Sequence, residues 1–209
     1  MAGGKETPRQ KMIGMMYLVL TALLALQVSS AVLEKFAIIN ETMVDVMAET
    51  NKKNAATLNE IVKEAGKSPN KKVVDAKTNA QKVRDLTSTT LASIDKLKGE
   101  MMKLSNTDHI NEGLINDHSS KVAALMVTEK TGKDFENLLA EYVTSLEKFS
   151  GLEFETLAKR PKDMPLFATD EDHANKDFLT FTFENTPAIA ALTSVTQIQT
   201  EILDYETRA

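Results

Sequence analysis

The sequence predicts a mainly α fold: a single N-terminal transmembrane helix, then a periplasmic helical bundle that includes a short irregular or extended segment. Three observations carry this reading. Residues 12–33, MIGMMYLVLTALLALQVSSAVL, contain no charged side chain. From Val73 to Leu104, apolar and small residues recur at alternating spacings of three and four, the mark of a helix packed along a seam. Finally, eight Gly and five Pro among 209 residues, with abundant Leu, Ala, Lys, Glu and Thr, favour helix over a many-stranded sheet.

Charge and composition exclude several classes at the outset. The chain has no Cys, which removes catalytic thiols, disulfides and Cys-based zinc sites. The formal net charge is −5. Residues 1–11 hold Lys5, Arg9 and Lys11 against Glu6, so the basic end precedes the apolar run and the rest is mildly acidic. Such a chain lacks the electrostatic footprint of a nucleic-acid binder.

The elements follow in order. Residues 1–11 form a cytoplasmic N-terminus and residues 12–33 the transmembrane helix. At 1.5 Å per residue the run reaches about 33 Å, against a hydrocarbon core of about 30 Å. Basic residues before it place Met1 in the cytoplasm and Glu34 onward outside. The competing reading is a cleaved signal peptide ending near Ser29-Ser30-Ala31, although the run exceeds an ordinary h-region. Thr21, Gln27, Ser29 and Ser30 are polar, but no residue of the run is ionisable. A span that carried protons itself would hold such a group, so any titrating carboxylate belongs to a neighbour. Gly14, Thr21, Ala25 and Ser29 share one face, where small side chains let helices approach closely. Tyr17 sits deep for an interface tyrosine, and its hydroxyl calls for a protein partner. Arg9 reads either as a snorkelling anchor on lipid phosphates or as the ion-pair partner of a neighbour's carboxylate.

Residues 34–209 form the bundle domain. A helix from Phe36 to Ala65 follows the span with no intervening Gly or Pro, and Gly66-Lys67-Ser68-Pro69 stops it. The seam Val73, Ala76, Ala80, Val83, Thr87, Thr90, Ile94, Leu97, Met101 and Leu104 defines the next helix. Residues 105–117 read as a polar loop. Helices over 119–129 and 133–150 follow, the second burying Phe135, Leu138, Leu139, Tyr142, Leu146 and Phe149. Within 152–186 the helical period lapses, and Leu179, Phe181 and Phe183 alternating with threonines read as a short extended piece. Thr186 as cap and Pro187 at the first position open a last helix that buries Ile189, Leu192, Val195, Ile198 or Gln199, Ile202 and Tyr205. With no cap or tail after Ala209, a natural continuation is expected.

No residue pattern supports catalysis, a cofactor or a metal. His109, His118 and His173 are dispersed in polar segments. Asp108, His109 and Glu112 offer only a weak metal constellation, and Asp170-Glu171-Asp172 reads as a solvated turn. No zinc-protease, nucleophile-elbow or phosphate-loop motif occurs.

The N-terminus MAGGKETPRQKMIGMMYLVLTALLALQVS resembles the start of the GldM/PorM family, the motor subunit of the type IX secretion and gliding apparatus. Thr7-Pro8-Arg9-Gln10-Lys11-Met12-Ile13 followed by Met16-Tyr17-Leu18-Val19 carries the likeness. Gln27 stands where the family often has Asn. The resemblance implies a bacterial inner-membrane, single-pass protein and a homodimer whose two spans sit inside a ring of GldL/PorL-type multi-span subunits. It implies further periplasmic and outer-membrane secretion partners. The ring would supply the intramembrane glutamate, with Arg9 and Tyr17 at positions facing it, and proton flow would turn the ring about the dimer. The rival readings are a single-span periplasmic sensor, for which eleven cytoplasmic residues leave no output module, and a periplasmic adaptor with a cleaved leader.

Overall fold

The computed structural model describes residues 8–67, 70–117 and 119–209, with the side chains of Pro8 and of residues 19–29 outside the description. The first helix, α1, runs unbroken over Pro8–Ala65. At 1.5 Å per residue its 58 residues give a rod of about 87 Å. Proline at its first position suits a helix start, because the missing N–H would have no intrahelical acceptor there. Helix α2, Lys71–Leu104, returns antiparallel to α1; its cap Asn70 accepts the Lys72 N–H at 3.0 Å.

Four shorter helices follow: α3 (Glu112–Ile115), α4 (Lys121–Val127), α5 (Lys130–Ser150) and α6 (Phe178–Phe183). Gly151 ends α5 in the left-handed region at φ 73°, where a Cβ would be strained. Helix α7, Ala188–Arg208, closes the chain.

Helix α7 is the axis of the bundle. Thirteen of its residues are buried, on nearly every side, as expected of a helix surrounded by others. It packs against α1, α2, α3, α4 and α6. The sequence marks only one apolar face there; Ala190, Ala191, Thr193, Thr196 and Leu203 are buried as well. Small and hydroxyl-bearing residues fill the remaining sides, where α1 comes close. Each buried threonine hydroxyl lies within hydrogen-bond distance of the carbonyl four residues back, Thr193 of Ile189 and Thr196 of Leu192, and shares its one proton between that carbonyl and an acceptor on α1.

The seam of α2 is buried at Val83, Thr87, Thr90, Ile94, Leu97 and Met101. Its first three positions are not: Val73 and Ala80 are half-buried and Ala76 is exposed. Helix α5 places Phe135, Leu139, Tyr142 and Leu146 against α2. The Tyr142 hydroxyl bonds the Ile202 carbonyl at 3.0 Å and the Thr87 hydroxyl at 3.1 Å. Burial drives its ionisation well above the ordinary tyrosine range, so it stays a neutral donor.

Three expectations are corrected. The extended piece at Leu179, Phe181 and Phe183 is helix α6, and among the described residues there is no strand. A lone five-residue strand has no neighbour to take its backbone groups, whereas a helical turn satisfies them internally. Leu179 and Phe183, four apart, share the buried face, with Phe183 edge-on to Phe135 at 6.5 Å; Phe181 turns away onto Phe167 at 5.1 Å. Asp177 caps the helix by accepting the Thr180 N–H at 2.7 Å, and this bond is the main reason its carboxyl titrates below the usual range. Second, the polar loop 105–117 contains the short helix α3, capped by Asn111 on the Leu114 N–H. Third, Pro187 is the cap of α7, while the Thr186 hydroxyl turns back to the Thr182 and Glu184 carbonyls.

Candidate interaction surface along the first helix

The N-terminal part of α1 is apolar and uncovered. Met12, Ile13, Met15, Met16, Tyr17 and Leu18 are 57–70% exposed, and together they point in every direction around the helix. A cylinder of this kind is unfavourable in water at about 25 cal/mol per Å² of apolar area, and it wants lipid or protein against it. Arg9 lies exposed in the first turn. Gly14 has no neighbouring atom within 4 Å of where a Cβ would stand, so its face is open. Thr21, Ala25 and Ser29, which the sequence groups with Gly14, fall outside the described side chains. Among the described residues no helix is long and apolar enough to cross a membrane; residues 19–29, the middle of the run, are not part of that description.

Where α1 meets the bundle it changes character. Leu33 is 3% exposed and belongs to the core cluster, so packing begins within the last residue or two of the apolar run. From there α1 shows two faces. The inner face holds Leu33, Asn40 and Asn54, all buried. The outer face holds Val32, Ile39 and Val46, seven apart and each 44–50% exposed. Phe36 and Met43, half-buried, fall between them. Phe36 packs on the core, so the outer stripe left exposed is Val32, Ile39 and Val46 at heptad spacing, a spacing suited to a second helix.

The inner face is fastened to α7 by polar contacts in an otherwise apolar interface. The Thr193 hydroxyl donates to the Phe36 carbonyl at 3.2 Å, and the Thr196 hydroxyl to Asn40 Oδ1 at 2.7 Å. The same Thr196 hydroxyl accepts from Lys98 Nζ of α2, which also reaches Gln199, and Gln199 donates to Asp95 at 2.7 Å. Burial, partly offset by Asp95, lowers the Lys98 titration.

A second clasp closes the other end. Asn54 Nδ2 donates to the Leu203 carbonyl at 3.0 Å and to Glu206 at 2.9 Å, and Thr207 donates to Asn54 Oδ1 at 2.8 Å. Arg84 of α2 pairs with Glu206 at 3.0 Å, the two side chains 19% and 6% exposed. Asn40 and Asn54 stand fourteen residues apart, two heptads, on one line of α1. Buried asparagines at seam positions fix register, because any other alignment strands their polar groups. Sequence reading passed over both residues, though a polar side chain on the inner line of an apolar helix was the available signal.

The histidines do not converge. His109 pairs with Asp108 at 2.7 Å and His173 with Asp170 at 2.8 Å, far apart in the chain; His118 lies outside the described residues. Among the described residues no three His, Asp or Glu side chains are grouped for a metal ion.

Fold and surface together define an all-α protein: a bundle packed around α7, with one very long helix, α1, that leaves an apolar flank exposed. The chain belongs to the GldM/PorM family, its residues 31–209 matching the family model described as the GldM N-terminal domain. No curated protein matches it. Membership associates the chain with gliding motility and type IX secretion, and with their membrane-associated components such as GldL.

Proposed function

We propose that this chain is a non-catalytic shaft of an inner-membrane motor, crossing the membrane once with residues 12–33 and carrying motion into its periplasmic bundle. The observation that carries the reading is the continuity of α1, which passes from Arg9 through the charge-free run into the clamped bundle with no break. A rotary or rocking input applied in the membrane needs such a stiff connection. The all-round apolar exposure of residues 12–18 supports a lipid or ring environment. The packed domain begins near Leu33, and residues 12–30 alone still span about 28 Å at 1.5 Å per residue, close to a hydrocarbon thickness.

Because the run lacks an ionisable residue, protons are handled by a GldL/PorL-type neighbour. Arg9, three residues before the start of the run, pairs with that neighbour's intramembrane carboxylate when it is ionised and releases it when it is protonated. Tyr17, two turns further in, meets the same partner. The outer stripe Val32–Ile39–Val46 supports a homodimer in which two α1 helices lie side by side, with Gly14, Thr21, Ala25 and Ser29 permitting close approach in lipid.

Arg9→Ala is expected to stop gliding and secretion while the membrane complex with the multi-span subunits still assembles and purifies. Motility at the wild-type level in that variant removes the pairing role.

A further inference from the structure

The hairpin between α1 and α2 runs past the rest of the bundle. Helix α7 ends at the level of Asn54, where Thr207 pairs with it, and α5 ends where Lys82 lies over the Phe149 ring at 5.6 Å. Beyond these points α1 continues from residue 55 to Ala65, and α2 returns from Lys71. The arm is about 16 Å long at 1.5 Å per residue.

Its charge is opposite to that of the domain bearing it. Residues 55–81 carry five lysines and three carboxylates, a net +2, whereas residues 83–209 carry thirteen basic and twenty-two acidic side chains, a net −9. Among the described residues Lys67 pairs with Glu64 and Lys53 with Glu49, while Lys63, Lys71, Lys72 and Lys77 have no carboxylate within ion-pair distance. Lys71 and Lys72 also occupy the first turn of α2, which holds no acidic residue. Cations there oppose the helix dipole, at a cost of about 0.3–1 kcal/mol. The fold gains nothing visible from placing them there.

The same arm leaves its apolar pattern unfilled. Val74 and Ile61 are 46% and 36% exposed. The seam positions Val73, Ala76 and Ala80 continue the heptads of α2 beyond the part that α5 and α7 cover. Lysines interleaved with exposed Val and Ile fit a protein surface better than a bare polyanion, since interfaces combine an apolar centre with a charged rim. A second copy of the arm is a poor partner, with like charge on both sides. On the reading above, a copy anchored by its own α1 presents its acidic bundle nearer the membrane, not at the height of the arm.

We propose that the basic arm, through Lys63, Lys71, Lys72 and Lys77 around Val74, docks on an acidic protein surface further from the membrane than this domain. On this arm such a partner meets attraction instead of the field of an acidic bundle. The proposal rests on the membrane orientation given above for its direction, but not on the proton-handling role of Arg9.

The test compares two quadruple variants in the full chain. One changes Lys63, Lys71, Lys72 and Lys77 to Glu, the other changes the same four to Arg. Lys63, Lys71 and Lys72 are exposed and Lys77 is half-buried, with none of the four in an ion pair among the described residues, so both variants should unfold within about 2 °C of the parent. Secretion should fall about ten-fold or more in the Glu variant and stay at the parental level in the Arg variant. Parental secretion in the Glu variant overturns the proposal. So does lysine-dependent flotation of the purified parent with phosphatidylglycerol vesicles, which assigns the arm to a lipid surface. Failure of the motor reading shows differently: Arg9→Ala is then silent while the Glu variant still loses secretion.

Discussion

Replacing Arg84 by methionine should lower the unfolding free energy by about 3 kcal/mol, because it strands a buried carboxylate. Glu206 is 6% exposed and holds Arg84 at 3.0 Å. Removing one partner of a buried pair costs about 3–5 kcal/mol, most of it the unpaired charge. The lower end applies here, since the Asn54 amide still donates to Glu206 at 2.9 Å. The double variant Arg84→Met, Glu206→Leu tests the cause. With no charge left to strand, it should regain most of the loss, measured by urea unfolding. A double variant as unstable as the single one would show that Arg84 acts through packing of its stem instead.

Gly132→Ala should be comparably damaging, for a steric reason. Gly132 lies in the first turn of α5, and a Cβ there would stand 1.8 Å from the Met126 carbonyl oxygen and 2.6 Å from its carbon. Backbone cannot rotate out of the way as a side chain can. The α4–α5 corner must open, and with it the contacts of Met126 and Val122, both essentially fully buried. Overpacking of this kind costs about 3 kcal/mol, or about 6–12 °C in Tm for a chain of this size. Gly99→Ala is the matched control: nothing lies within 4 Å of its Cβ position in α2, and alanine in a helix interior is favoured by about 1 kcal/mol. The two glycines should therefore move Tm in opposite directions.

Periodicity made the long elements readable in the sequence and left the short ones hidden. The α2 seam from Val83 to Met101 and the buried side of α5 follow from spacing alone, because each lies against a continuous apolar wall. Helix α6 escaped because six residues give too few turns to separate a period of two from one of 3.6; its Asp177 cap was the better signal. Helix α7 reads as one-sided, yet it is enclosed, since Ala and Thr give no apolar contrast on its other faces. The clasps of Asn40, Asn54, Lys98, Arg84 and Glu206 join positions up to 156 residues apart, and no local pattern encodes such pairing. Arg9 and Tyr17 stand out in the sequence by their places before and within the apolar run, and the family's N-terminal motif points to the same two positions. Nothing local in the sequence marks Gly132, because the backbone it faces is set by the α4–α5 corner and not by its neighbours in sequence.

The proposed shaft works only if the chain is fixed in the membrane. Because the chain has no cysteine, single cysteines report topology cleanly. Two variants suffice, Lys5→Cys before the apolar run and Glu41→Cys, exposed on α1 beyond it. In cells with an opened outer membrane, a membrane-impermeant maleimide should label the Glu41 variant at once and the Lys5 variant only after the inner membrane is permeabilised. The intact mass should include the first thirty residues. Equal labelling of both positions, or a mature chain starting after Ala31, would contradict a membrane-held shaft.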